Sequence, residues 1–203
     1  MGLIMRYKAF LKNQLAELEY KDIPALSEKE WKLVNAFGED ASFEIKTTSS
    51  SIDGINLIND SKSQTIPYIT RTDANNGISK FVSPVNMGNG FDEAGCITVG
   101  LDTQTAFYQT YDFVTGQNIQ IVTSKHLNIY TAMFLIPIFK KQMVAKFNWG
   151  GNGATLGRMK KLQMMLPMDS SGKPDWDYME QYSKNLMLKK YQQYLDFLAK
   201  QEK

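Results

Sequence analysis

Residues 147–167 read Phe147-Asn-Trp-Gly-Gly-Asn-Gly-Ala-Thr-Leu-Gly-Arg-Met-Lys-Lys-Leu-Gln-Met-Met-Leu-Pro167. The spacing predicts a glycine-rich turn carrying Trp149, then a cationic strand start, then an apolar strand over Leu162–Leu166. The stretch lies in a wider basic segment. From Phe113 to Met168 there is no Asp or Glu, yet Lys125, Lys140, Lys141, Lys146, Arg158, Lys160 and Lys161 all fall there. The whole chain carries a formal net charge of only +2. Positive charge is therefore concentrated in one segment, and a local basic surface attracts polyanions even when net charge is low. Lysines solvating one face of an α/β domain are the bland alternative.

Outward from this segment, the chain alternates strands and helices. Tyr7, Phe10, Leu11, Leu15 and Leu18 recur at steps of three and four, an amphipathic helix that Ile23-Pro24 ends. Ser27 with Glu30 matches a capping box, predicting a short helix over 28–37 with Trp31 and Val34 inward. Residues 42–46, 66–70, 95–99, 105–109 and 119–122 read as strands, rich in β-branched and aromatic residues. Residues 47–63 read as a loop. A helix is expected over 124–145, with Leu127, Tyr130, Met133, Phe134, Ile138 and Met143 in phase, and Pro137 kinking it or shifting its start. After a turn-rich linker at 169–174, Asp175 is a good N-cap for a closing helix. Met179, Tyr182, Leu186, Tyr191, Leu195 and Leu198 form its apolar side. About 40 Å long at 1.5 Å per residue, this helix exceeds the needs of a small domain and is expected to pair with another helix.

Several chemistries lack material. His126 is the only histidine, so a His-based metal cluster or a Ser/His triad is not expected. Cys96 is the only cysteine and sits in an apolar run, which fits a core residue and a reducing cytosol. The glycines of 150–157 fit neither a phosphate loop nor a dinucleotide fingerprint. Glu44-Ile45-Lys46 has no preceding Asp strand of the kind a metal nuclease needs. Asp92-Glu93 reads as a pair of solvated turn charges. No apolar run is long enough to span a bilayer, and the charged start carries no secretory signal.

Pro67-Tyr68-Ile69-Thr70-Arg71-Thr72-Asp73-Ala74-Asn75-Asn76-Gly77-Ile78 resembles a signature of target-recognition domains in the DNA specificity subunits of type I-like restriction–modification systems. So do Cys96–Gly100 with Thr105–Gln109, Phe113–Ile119, Lys146–Arg158, Met165-Leu166-Pro167 and, as the opening of a helical spacer, Tyr178–Tyr182. Order and spacing over 25–203 are the specific part. The resemblance implies an α/β (α+β) mixed-sheet recognition domain at 25–170, preceded by an N-terminal helix at 1–24. It is followed by a helical spacer at 171–203 that forms a helix pair or coiled coil. It implies a non-catalytic, cytoplasmic, double-stranded DNA-binding subunit. The methyltransferase subunits that it docks carry S-adenosylmethionine, with a restriction or translocase subunit joining in some systems. A typical member has two recognition domains and two spacers. This chain looks like a half subunit, and two copies pairing through the terminal helices would read a split target. An orphan half subunit, acting only as a helix-mediated protein–protein module, is the alternative.

Within that frame Arg71, Thr72, Asn75 and Asn76 are candidate base readers, since Arg, Asn and Thr match base-edge donors and acceptors. An Arg71–Asp73 turn pair is the structural alternative. Lys125, Lys146, Arg158, Lys160 and Lys161 are candidate phosphate contacts. Trp149 stacks at the interface or plugs the domain edge; Asn152 reaches a base or serves a left-handed turn. Tyr182, Leu186, Tyr191, Leu195 and Leu198 are the expected dimer or partner face.

Overall fold

The computed structural model describes residues 3–38, 41–60, 63–147 and 154–201. In chain order its elements are α1 (Leu3–Glu17), β1 (Trp31–Asn35), β2 (Glu44–Thr47), β3 (Ile66–Ile69), β4 (Ile78–Val82), β5 (Cys96–Gly100), β6 (Thr105–Gln109), β7 (Val114–Thr115), β8 (Ile119–Thr123), α2 (Ile129–Lys146), α3 (Leu156–Met159), β9 (Gln163–Pro167) and α4 (Trp176–Gln201). They fall into two compact units: Met1–Trp31 with Pro167–Lys203, and Lys32–Leu166.

The Lys32–Leu166 unit holds a four-stranded antiparallel sheet, ordered β2-β8-β5-β6. Every residue of β5 is buried, which is why Cys96-Ile-Thr-Val-Gly100 reads as a continuous run of strand formers. A second sheet, β4-β3-β7, pairs β3 antiparallel with β4 and parallel with β7. Side chains of a strand alternate between faces. Ile69 packs with Cys96, Phe113, Ile119 and Ile121, whereas its neighbour Tyr68 packs with Leu57, Val82 and Val114. The 52–57 segment, with Ile52 also in contact, therefore covers one face of the small sheet. A third core is aromatic: Phe139 of α2 sits 5.3 Å from Phe43 and 6.2 Å from Phe37 between ring centroids. β1 and β9 pair separately.

Five local expectations are corrected. Residues 31–35 form strand β1, not a helix; the box pattern falls on Ala25 instead, whose N–H donates to Glu28 Oε2 at 2.8 Å around a single 3-10 turn. Helix α2 starts at Ile129, not at 124, because Asn128 Oδ1 accepts from the N–H groups of Tyr130 (2.9 Å) and Thr131 (3.0 Å). Pro137 stays inside that helix on an exposed position, and Phe139 rather than Ile138 faces the core. The cationic residues after the glycine-rich turn form the short helix α3 and its exit, so the strand begins only at Gln163. Asp92 is no solvated turn charge: it is buried.

The other unit pairs α1 with α4. Leu11, Leu18, Tyr178, Met179 and Leu198 are buried in it. The connection after α1 is stapled to α4. Asn185 donates through Nδ2 to Lys21 O at 2.7 Å, Gln181 Nε2 donates to Glu19 O at 2.9 Å, and Tyr178 Oη donates to Pro24 O at 3.0 Å. Asp175 caps α4 by accepting from Tyr178 N at 3.0 Å and pairs with Lys29 at 2.7 Å. No described helix is long and apolar enough to cross a membrane.

Candidate nucleic-acid interface

The four-stranded sheet has two ends, and the antiparallel register fixes which loops meet at each. At one end, Gly100 pairs with Thr105 and Ile119, and Thr47 with Gln120. Arg71 lies against Gly100 and pairs with Asp102, not with Asp73. Asp102 Oδ2 also accepts from Asn118 Nδ2 at 2.9 Å. Gln104 Nε2 donates to Phe147 O at 2.5 Å, which fixes the C-terminal end of α2 and the exposed Lys146 to the same rim. Thr70–Arg71, Leu101–Gln104, Gln117–Asn118 and Lys146–Phe147 thus form one polar edge. Sequence reading finds Arg71 and Lys146 there and misses Asp102, Gln104 and Asn118. The turn signals around Leu101–Gln104 and Gly116–Asn118 were the available clue.

From Arg71 the loop runs along β6. Asn76 O accepts from Gln109 Nε2 at 3.0 Å, and that buried amide also donates to Thr98 Oγ1 at 2.9 Å. Thr72 Oγ1 accepts from Ala74 N at 3.3 Å. Asn75 and Asn76 are exposed and adopt positive φ, 49° and 55°. Gln104, Asn118 and Ser51 do the same, at 55°, 61° and 56°. These five are the described non-glycine residues in that region of backbone space. All lie on loops of this unit. Backbone in sparsely populated conformations persists where surrounding contacts over-determine it, and it concentrates at functional loops.

The remaining cations lie elsewhere. Lys125 follows β8 at the opposite end of the sheet, where Thr123 pairs with Glu44. Ala36 N donates to Leu162 O at 2.9 Å and Phe43 N to Ala36 O at 3.2 Å, which carries the 158–161 segment toward that same end. Arg158, Lys160 and Lys161 are exposed there; Thr155 Oγ1 caps their turn by accepting from Arg158 N at 3.3 Å. The expected contact set is therefore divided: Arg71, Thr72, Asn75, Asn76 and Lys146 border one end and β6, while Lys125, Arg158, Lys160 and Lys161 lie toward the other. Trp149 and Asn152 lie outside the described residues.

On the helical unit, Leu198 is buried, Tyr182, Tyr191 and Leu195 are half-buried, and Leu186 is exposed. Helix α1 already supplies a partner for α4. Tyr7 lies 5.6 Å from Tyr194 and 6.2 Å from Phe10, and Tyr194 lies 6.1 Å from Phe197. All four rings remain about half exposed.

His126 is exposed in the turn before α2, where its N–H donates to Ser124 Oγ at 3.2 Å. Cys96 is buried, and burial pushes its thiol up to about 12. Among the described residues no group of three His, Cys, Asp or Glu side chains is placed to hold a metal ion.

Comparison with known proteins follows the same outline. Residues 43–194 match the family model described as the type I restriction modification DNA specificity domain. The type II restriction enzyme BgcI specificity subunit S.BcgI of Heyndrickxia coagulans is 30% identical over 165 residues, 79% of this chain and 45% of that protein. The fold is similar to that of a type I restriction–modification S subunit from M. genitalium (TM-score 0.55, 13% identity, 90% of this chain, 44% of that one). It is also similar to an HsdS subunit from Thermoanaerobacter tengcongensis (TM-score 0.51, 12% identity, 98% and 49%). The chain thus spans just under half the length of each. With the match running from the strand-rich unit into α4, the chain belongs to the family of type I restriction modification DNA specificity domains.

Proposed function

We propose that the chain recognises a sequence in double-stranded DNA as the specificity half subunit of a restriction–modification complex. Its recognition domain, 25–170, reads one half of a split target. Its terminal segments, 1–24 and 171–203, hold a second recognition unit and the methyltransferase subunits. The observation that carries this reading is the polar edge built from Arg71, Gln104, Asn118 and Lys146, on loops with strained backbone, in a chain of this family. Arg, Asn and Gln are the side chains that read base edges, while lysines fix register on phosphates. The chain itself is non-catalytic in this reading. S-adenosylmethionine belongs to the partner methyltransferase, and a restriction or translocase subunit joins through that assembly.

The Arg71–Asp102 pair gives the edge a switchable donor. With DNA absent, Asp102 satisfies the guanidinium; a guanine edge would replace it with two acceptors. The test is fluorescence anisotropy of the chain on short duplexes across a salt series. Binding that weakens steeply between about 50 and 200 mM salt is expected, because phosphate contacts release counterions. Arg71→Ala should then lower discrimination between the selected duplex and a scrambled one by roughly 10- to 100-fold. An Arg71→Ala chain that discriminates as well as the parent removes Arg71 from the reading.

The exposed Tyr7, Phe10, Tyr194 and Phe197 rings favour a second element of this proposal, pairing of two copies through the α1–α4 unit. Sedimentation of the chain at micromolar concentration tests it, and a monomer counts against it.

A further inference from the structure

Ile55 is 88% exposed, the most exposed large apolar side chain among the described residues. Its neighbours in the loop behave otherwise: Leu57 is buried and Ile52 packs on the same core as Tyr68, Val82 and Val114. A stray exposed apolar residue on a loose loop needs no explanation. This loop is tied down on both sides of its tip. Ile52 N donates to Thr115 O at 2.7 Å, and Tyr68 Oη donates to Ile52 O at 2.8 Å. Beyond the tip, Ile58 N donates to Asn86 Oδ1 at 2.9 Å and Ile58 O accepts from Asn86 Nδ2 at 3.0 Å. Asn86 is itself buried and bonded to Ser83 O. The tip closes as a turn, Asn56 N to Asp53 O at 2.9 Å.

The root of the loop is held harder still. Asp92, 3% exposed, accepts from Thr48 Oγ1 at 2.5 Å, Ser49 Oγ at 3.0 Å and Ser49 N at 3.1 Å. Gly90, with φ +105°, lies so close that a Cβ there would stand 2.4 Å from Ser49 O. The sequence thus spends a buried carboxylate, a positive-φ glycine and a buried asparagine on presenting one isoleucine to solvent.

The place of that tip names its occupant. Gly116, next after Thr115, passes so near Tyr68 Oη that a Cβ would stand 2.9 Å from it. Two residues further on, Asn118 joins Asp102 and Arg71. The loop therefore flanks the polar edge described above. We propose that Ile55 is a wedge that enters duplex DNA at a base step beside the bases read by that edge. This rests on the DNA-recognition reading of the chain. Apolar side chains inserted between base steps unstack them and kink the duplex. A loop already fixed in shape loses little backbone freedom on insertion.

The experiment begins with selection of duplexes from a random library by the full chain, followed by donor and acceptor labelling of the selected duplex at its ends. Ile55→Ala is expected to weaken binding about tenfold. It should leave the slope of log affinity against log salt unchanged, since no phosphate contact is lost. The end-to-end shortening of bound DNA should shrink with it, and Ile55→Phe should restore the shortening. The thermal transition should not move, because the side chain is outside the core. An Ile55→Ala chain that binds and bends DNA like the parent overturns the wedge and leaves DNA recognition standing. Weaker binding with unchanged bending also overturns it, in favour of a groove contact. Unchanged DNA binding with lost association between copies assigns Ile55 to a protein interface instead. A parent chain that retains no duplex from the library removes the recognition reading and the wedge together.

Discussion

Asp92 shows how much one buried carboxylate can hold. It accepts from three donors on Thr48 and Ser49, while its backbone N–H and carbonyl both pair with Phe113 at 3.0 Å. Thr115 extends the network: its N–H donates to Ser50 Oγ at 2.8 Å, and its hydroxyl accepts from Ser51 N at 3.3 Å. Removing the carboxylate takes its partner from the half-buried Thr48 hydroxyl and from both donors of Ser49, and hydrogen bonds to a charged acceptor are among the stronger ones. Asp92→Ala is expected to destabilise the chain by about 2–4 kcal/mol in urea unfolding. It should also raise hydrogen exchange selectively over 48–58. Cys96 makes a second residue-scale case. Burial, and after it the nearby Asp92 charge, push the folded thiol up to about 12, well above the ordinary thiol range. The folded state therefore keeps its proton where the unfolded chain has lost it, so stability falls as pH rises from about 9 toward 12. Cys96→Ala should flatten that part of the stability–pH curve relative to the parent, measured by the urea midpoint. Alkylation of native Cys96 at neutral pH should be slow for the same reason. The setting of Cys96 is legible in its apolar run, whereas that of Asp92 is not. Asp92-Glu93 looks like a polar turn until Thr48 and Ser49, more than forty positions earlier, are folded against it.

At the scale of elements, legibility follows burial. Strands β3, β5, β6 and β8 announce themselves because their residues are buried and strand-forming together. Strand β1 does not: Trp31-Lys-Leu-Val-Asn35 is half exposed, and the Ser27-x-x-Glu30 pattern before it imitates a helix start. Its identity comes from pairing with β9, some 130 positions later, a tertiary decision that propensity does not carry. β7, only two residues long, has no periodicity to read. The candidate site divides the same way. Arg71 and Lys146 are legible as residue types, but Asp102 as the partner of Arg71 depends on the Gly100–Thr105 turn folding beside it. Helix α4 is the clearest element, and Asp175 is as well marked in sequence as in structure. Its carboxylate caps the helix and meets Lys29, whose ammonium also lies 4.8 Å from the Tyr178 ring centroid. A lost cap costs about 1 kcal/mol, and a half-buried cation deprived of its partner adds to that. Asp175→Ala is expected to cost about 1–3 kcal/mol by urea unfolding. Asp175→Asn should recover the cap but not the ion pair, and fall between.

For the whole molecule the two compact units suggest a division of labour that mutation can separate. The strand-rich unit carries the polar edge and the exposed Arg158, Lys160 and Lys161; the helical unit carries the exposed Tyr7, Phe10, Tyr194 and Phe197. Charge sets DNA affinity through counterion release, at about 0.9 in the log–log salt slope per phosphate contact. Reversing Lys160 and Lys161 to Glu is therefore expected to lower the slope by about 1–2 and to weaken binding uniformly across sequences. Both side chains are exposed, so the thermal transition should hold. The proposed association of copies would depend instead on apolar area, which falls when Tyr194 and Phe197 become Ser. That double variant should sediment as a monomer while each copy keeps its contact with a half-site at high protein concentration. What it loses is the gain from joining two half-sites, because a linked second contact binds at a high effective concentration. Affinity for a duplex with both half-sites should then fall to that for a single half-site. A charge-reversed chain that no longer associates, or a Ser variant that loses single half-site binding, shows that the two surfaces act as one and that the division is wrong.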